Sequence, residues 1–478
     1  MSAPIDDSDN AVETAADAKV EAKAEDGVYV LDHELIDAVE DALDAGDGDR
    51  ARDLTAELHD ADIADLLQHL DGDRRRAFVQ TIRQNFHPDI LAELDDVVRD
   101  DVIEQLGVAD TALAVAGLES DDAVQVIAEL DDDDQQQVLD AMPEAERSLI
   151  EQALTYPEES AGRLMQREVV AVPTFWTVGE IIDFFRRSAD DETSNLPTEF
   201  HDIYVVDPVH KPVGAVTLSH LLRTRRPVSV RDIMQEEIKV VPANTDQEDV
   251  AFLFRQRDLT SAPVVDDAGR LVGVITIDDV VDVMDEEHEE DIMRLGGVKE
   301  DDLYSDVVGT ARSRFTWLFV NLGTAILASL VIGLFEATID QMVALAVLMP
   351  IVASMGGNAG TQTLTVAVRA LATKELTASN ALRVVGKELL VGGVNGVILA
   401  LITAVVAWVW FGNVAIAVVI AAAMVFNLVV AALAGASIPM VLERLKIDPA
   451  IASGVFLTTI TDVVGFFAFL GLAAWILI

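Results

Sequence analysis

The 478-residue sequence has no cysteine, 5% aromatic residues and few cations, with 33 Lys and Arg set against 83 Asp and Glu. The lack of cysteine excludes disulfides, thiolate metal sites and cysteine nucleophiles. A formal net charge of −50 repels phosphate, which excludes nucleic acid as a partner. No nucleophile, paired acid and base, or phosphate loop emerges, so an enzyme is not expected. Hydrophobic residues, by contrast, make up 51% of the chain and the mean hydropathy is +0.31. That value and the charge do not coexist in one compact domain, so the chain is segregated. Residues 315–478 hold six basic residues (Arg369, Lys374, Arg383, Lys387, Arg444, Lys446) and seven acidic ones (Glu336, Asp340, Glu375, Glu388, Glu443, Asp448, Asp462), leaving −49 to the first 314. A soluble acidic half therefore precedes a membrane half. Such acidity is also what a halophilic cytoplasm favours, because molar salt cuts the Debye length to about 3 Å and self-repulsion with it.

Residues 1–28 are rich in Ala, Asp and Glu and read as a disordered acidic tail without the basic and apolar regions of a secretory signal. Over 29–155 apolar residues recur at helical spacing, as in Ile63, Leu66, Leu67 and Leu70, between acidic turns such as LDGD and LDDDD. This pattern predicts an all-α N domain, a small superhelix or bundle. Over 156–284 an internal repeat appears. IYVVDPVHKPVGAVTLSHLL aligns with APVVDDAGRLVGVITIDDVV at an offset of 59, matching Val205 to Val264, Gly214 to Gly273 and Thr217 to Thr276; GRLM and RDIM lie 69 apart. The difference predicts an insertion of about ten residues in the first copy, with ADDETSNLPTEF as its candidate. Each copy reads as strand, helix, strand, turn, strand, helix, which resembles an α/β tandem pair of CBS domains. That resemblance implies an adenine-nucleotide site with its carboxylate at Thr276 and Asp279 (T-x-x-D), whereas His220 stands at the equivalent place in the first copy. A charged connecting helix over 285–314, interrupted at Gly296 and Gly297, leads into the membrane.

Five apolar stretches are long enough to span a core of about 30 Å: 316–335, 341–368, 384–411, 414–440 and 450–478. Arg312 and Arg314, then Arg369, Lys374, Arg383 and Lys387, then Arg444 and Lys446 place the N-terminal domains and the even connections inside, and the C-terminus outside. In the second span, Pro350, Ser354, Gly356, Gly357, Asn358 and Gly360 are candidates for lining a polar pathway, against helix packing through Gly356 and Gly360 as the plainer reading. In the fifth, Asp462 lies roughly 17 Å along the helix, near mid-bilayer. An ionised carboxylate there costs about 2.5–3.5 kcal/mol, and no deep Lys or Arg offsets it, so a transported cation is the expected partner. Glu388 is read as a surface ion pair with Lys387. Two such carboxylates about a twofold axis would balance one divalent ion, and hard oxygen donors without His, Cys or Met favour magnesium.

The order of parts, with PIVASMGGNAGTQT at 350–363 and DPAIASGVFLTTITDVVGFF at 448–467, is similar to the MgtE family of magnesium channels or transporters. This resemblance implies a plasma-membrane homodimer in contact with lipid, with a five-helix transmembrane domain over 315–478. It makes Asp462 the pore carboxylate, with Thr458 and Gly454 on the same face. It also implies that cytoplasmic magnesium closes the pore by binding Glu248, Asp258, Asp279, Asp282, Glu287, Glu290 and Asp291, with Asp121 from the N domain, and that ATP is a candidate regulatory ligand. Gln125 stands where relatives offer a carboxylate. A channel for cobalt, nickel or manganese, and a membrane-anchored nucleotide sensor that moves no ion, are the alternatives.

Overall fold

The computed structural model describes residues 31–188, 196–197, 200–298 and 307–477. The expected tail over 1–28, most of ADDETSNLPTEF and residues 299–306 of the connecting stretch lie outside them. Two compact units are present, one running to Glu158 and including Gln166–Glu168, the other made of Glu159–Met165 and Val169 onward.

The first unit is helical: α1 His33–Asp44, α2 Gly48–Thr55, α3 Asp60–His69, α4 Gly72–Ile82, α5 Asp89–Ala92, α6 Asp96–Leu106, α7 Val108–Val115, α8 Ser120–Ala128, α9 Asp132–Ala141 and α10 Glu144–Ala153. One apolar core, with Leu66, Leu67, Phe78 and Ile127 fully buried, runs through it. Its acidic turns are helix starts. Asp71 accepts from the amides of Asp73 and Arg74, and Asp32 and Asp47 cap α1 and α2 in the same way, each worth about 1 kcal/mol. Helix ends follow a second rule. Arg75 donates back to the carbonyls of Leu67 and Leu70, Arg99 to those of Leu91 and Leu94, and Gln135 to that of Ile127. In all three the donor lies eight residues beyond the first acceptor, so the opening of one helix closes its predecessor.

The second unit starts with α11 (Ala161–Leu164) and two three-stranded sheets. The first holds β1 Ala171–Pro173, β2 Asp202–Val206 and β3 Pro212–Thr217, with α12 Val178–Ser188 and α13 Leu218–Arg223; the second holds β4 Val241–Pro242, β5 Ser261–Val265 and β6 Leu271–Thr276, with α14 Gln247–Arg257. In each sheet the first strand runs parallel and the third antiparallel to the middle one. The registers repeat the sequence offsets: Asp202 pairs with Thr217 as Ser261 pairs with Thr276, 59 residues on, while Pro242, 69 residues after Pro173, faces Val265 as Pro173 faces Val206. Even the bulge between Val205 and Val206 recurs between Val264 and Val265. Ser261 donates to its counterpart Asp202 at 2.8 Å, which joins the two copies near their pseudo-twofold axis.

Helix α15, Ile277–Gly296, begins as the last element of the second copy and runs without a break across residue 284. Gly297, at φ 68°, ends it in the left-handed conformation that glycine adopts freely. The long apolar helices follow: α16 Val307–Gly333, the short α17 Glu336–Gln341, α18 Ala344–Ala372, α19 Ala381–Phe411, α20 Val414–Arg444 and α21 Pro449–Leu477. All but α17 are long and apolar enough to cross a membrane. Helix α20 is the hub, packed against α18, α19 and α21. Close approach requires glycine here: a Cβ on Gly435 would lie 2.6 Å from the Gly360 carbonyl, and one on Gly392 2.7 Å from the Ala432 Cβ.

Candidate functional site

Along α18, Pro350, Ser354, Asn358, Thr361, Gln362 and Thr365 are all exposed within the single chain. Their spacing puts them on one face. Asn358 donates to the Ser354 hydroxyl at 3.4 Å, and the space beside Gly357 is open. Two residues expected to line this face turn away from it. Gly356 and Gly360 are buried, with Cβ positions 2.2 Å from Asn427 Nδ2 and 2.7 Å from a Leu457 methyl, so within this chain they serve packing between helices, the plainer of the two readings. Helix α21, packed on α18, carries Gly454, Thr458 and Asp462 at four-residue spacing. Thr458 is exposed and returns its hydroxyl to the Gly454 carbonyl at 3.0 Å; Gly454 has open space where a side chain would stand. Asp462 is half-buried, and among the described residues no side chain hydrogen-bonds or pairs with it.

Glu388 departs from its expected surface setting. Lys387 lies 3.5 Å from its Oε1, but the residue is buried and Thr363 of α18 donates to its Oε2 at 3.3 Å. The exposed Lys387 is one partner, and a helix-to-helix hydrogen bond is the other.

The acids outside the long apolar helices fall into two groups. Glu248 of α14 and Glu287 and Asp291 of α15 come together, with Gln247 donating to Glu287 at 2.8 Å. Partial desolvation, then the charges of Glu287, Asp246 and Asp291, push the Glu248 carboxyl up to about 7, although the side chain is still accessible. Asp291 is raised by burial and then by Asp448 and Glu287. Arg294 pairs with Glu290 and reaches Asp448 at 2.5 Å, while the other Asp448 oxygen caps α21 by accepting from the Ala450 amide. The second group, Asp278, Asp279, Asp282 and Asp285, occupies the first turns of α15. Asp279 is pushed up to about 6, by burial first, and its Oδ2 already accepts from the Thr276 hydroxyl and amide in a capping box. Asp282 is raised by burial and then by Asp278 and Asp285. Asp258 joins neither group: it is exposed and closes α14 in a left-handed conformation. Asp121 lies buried in the first turn of α8 in the other unit.

These shifts carry a sign. Carboxyls raised in the fold bind more protons folded than unfolded, so the metal-free chain loses stability as pH climbs from about 4 toward about 7, through the raised values of Asp279 and Glu248. In chelator, the melting temperature of the full chain in detergent is expected to be a few degrees higher at pH 5.5 than at pH 8. Carboxylates ligate a divalent cation only in their deprotonated form, so if these acids hold magnesium its addition is expected to raise the melting temperature more at pH 8.

Sequence reasoning missed Asn427, Arg294, Lys374 and Asp448. Only Asp448 had a local signal, an Asp directly before a Pro at a helix start. Lys374, in the α18–α19 connection, pairs with Asp249 and lies 4.8 Å from the centre of the Phe252 ring on α14. With Arg294 and Asp448, this puts the second and fourth connections on the side of the paired α/β domains.

Five helices long and apolar enough to span, one with an exposed polar strip and another with a mid-helix carboxylate, together with an acid-rich α/β pair, define an integral membrane protein. Residues 349–472 match the family model described as divalent cation transporter, 58–159 the MgtE intracellular N domain, and 161–226 and 230–286 the CBS domain. The chain is 32% identical to the magnesium transporter MgtE of Thermus thermophilus over 94% of its length and 99% of that protein's, and 30% identical to that of Bacillus subtilis over 88% and 93%. A solved cytosolic domain of the Mg2+ channel MgtE in complex with ATP is 31% identical, covering 52% of this chain and 99% of that one at a TM-score of 0.47. The chain belongs to the MgtE family, which is one of transporters and not of enzymes.

Proposed function

We propose that this chain is a magnesium-selective channel of the plasma membrane, working as a homodimer and closed by cytoplasmic magnesium. The observation that carries the reading is the exposed polar strip of α18 together with Asp462, unpaired among the described residues, on the helix α21 packed against it. Facing lipid, such a strip would be costly. A second copy about a twofold axis turns the two strips into one lined path and sets two carboxylates around it. Two carboxylates balance one divalent ion, and hydroxyl, amide and carbonyl oxygens suit magnesium, which keeps much of its water. Oxygen donors alone admit manganese, cobalt or nickel, and it is the magnesium transporters among the relatives that favour magnesium. With the even connections and the acidic domains in the cytoplasm, the C-terminus lies outside.

Closure rests on the two acidic groups. Bare, Glu248, Glu287 and Asp291 repel one another and Asp448; bridged by magnesium, they hold α15 to α14 and to the start of α21. Glu290 joins them through Arg294, while Asp279 and Asp282 form the second site, with Asp258 as an outlying ligand. At high salt only short-range bridging survives screening. ATP is a regulatory ligand at Thr276 and Asp279, so Asp279→Asn is expected to weaken it in calorimetry.

Asp249 and Phe252, on the helix that carries Glu248, hold Lys374. Lys374→Ala is expected to leave calorimetric magnesium binding unchanged while raising flux at high cytoplasmic magnesium roughly two- to fivefold, because an exposed pair contributes at most about 1 kcal/mol. Equal flux from the variant and the parent would remove that link. The reading itself is tested by magnesium uptake into reconstituted vesicles beside crosslinking of the same protein. Uptake with a crosslinked dimer is expected; folded protein without uptake would leave a nucleotide-sensing membrane anchor.

A further inference from the structure

Helix α20 is apolar over nearly its whole length, yet Asn427 stands in its middle, about 20 Å from its first residue at 1.5 Å per residue. The side chain is 0% exposed. Its Nδ2 donates to the Val352 carbonyl of α18 at 2.9 Å, and its Oδ1 has no hydrogen-bond partner among the described residues. Two glycines from different helices make room for this one amide: a Cβ on Gly356 of α18 would lie 2.2 Å from Nδ2, and one on Gly465 of α21 2.8 Å from it. No real Cβ contact is that short, so an alanine at either position would push the helices or the amide aside. Simple packing would be met by leucine, of similar size and without a stranded oxygen. The socket is also placed with respect to the pathway. Gly356 lies midway between Ser354 and Asn358, and Gly465 follows Asp462 by three residues.

We propose that Asn427 is a positioning residue of the ion pathway: wedged between Gly356 and Gly465 and anchored on the Val352 carbonyl, it sets the spacing between the polar strip and Asp462 and thereby ion selectivity. The inference rests on the transport reading above. Helices α18 and α21 carry the two sides of the half-path, and α20, which carries no pathway residue, fixes their separation through one hydrogen bond and two glycine contacts. A buried hydrogen bond is directional, so it resists the sliding of one helix past another that an apolar contact would tolerate.

The test compares parent, Asn427→Leu and the double variant Asn427→Ala with Gly465→Ala in vesicles, reading uptake of magnesium and of calcium. The double variant fills part of the vacated space with a methyl and omits the hydrogen bond, which keeps the test informative where the leucine variant fails to fold. Both variants are expected to lower the magnesium-to-calcium uptake ratio roughly tenfold, the scale of one lost buried hydrogen bond, at unchanged yield of folded dimer. An unchanged ratio in folded variant protein, with total flux the same or merely lower, would assign Asn427 to packing alone and overturn the inference. Absence of uptake by the parent would instead defeat the transport reading, so the two failures are distinguishable.

Discussion

Asp462→Asn is expected to lower magnesium flux by at least a hundredfold while leaving the folded protein intact. The substitution keeps volume and shape and removes only the charge, so packing along α21 is preserved. The carboxylate sits in mid-span, and among the described residues no cationic or hydrogen-bonding side chain stabilises it. Holding an ionised group there costs about 2.5–3.5 kcal/mol. A structural role would not need the charge, and asparagine would then be tolerated or even stabilising. If two carboxylates face one path, the dimer loses both at once. The loss in cation occupancy is then at least the square of a single-site effect, and each tenfold step corresponds to about 1.4 kcal/mol. Flux in reconstituted vesicles, normalised to folded dimer, checks this; retained flux with unchanged selectivity would remove Asp462 from the path.

The second large effect concerns closure. Neutralising Glu248, Glu287 and Asp291 together, as Gln, Gln and Asn, is expected to shift the cytoplasmic magnesium needed for half-closure upward by more than tenfold. The three acids meet where α14, α15 and the start of α21 converge, and Glu248 is already pushed up to about 7 without metal. Removing the charges removes both the repulsion that holds the bare state apart and the ligands that draw the loaded state together. The variant is therefore expected to lose magnesium dependence without losing flux. Neutralising Glu287, Glu290 and Asp291 is a harsher version, because Glu290 also holds Arg294. Closure as sensitive as the parent's in either triple variant would place the sensor elsewhere.

What the sequence made legible was periodic or costly. The offsets of 59 and 69 became strand registers, because one register error would turn every side chain of a strand over. Five apolar runs became five long helices, since a single segment satisfies its own backbone within lipid only as a helix. Asp462 stood out because a charge in mid-membrane is expensive. The residues that were missed gain their meaning from distant partners. Asn427 meets Val352 75 positions away, Lys374 meets Asp249 across 125, and Arg294 meets Asp448 across 154. No local pattern marks such pairs. Glycines were ambiguous for a related reason: Gly356 and Gly357 are neighbours in sequence, but one faces Asn427 and the other open space, and only the helix rotation distinguishes them. The eight-residue return of Arg75, Arg99 and Gln135 was present in the sequence, yet an arginine in an acidic helix reads as solvated surface until the carbonyls beneath it are seen.

The central claim is that one polar path both moves magnesium and is shut by it from the cytoplasmic side. The most direct measurement is magnesium flux into vesicles bearing the purified full-length protein, at fixed high monovalent salt, with magnesium on the cytoplasmic face stepped from micromolar to tens of millimolar. The account predicts robust flux at the lowest step that falls progressively as that face is loaded. Flux indifferent to the cytoplasmic concentration would contradict the sensor, and no flux at any step would contradict the pathway.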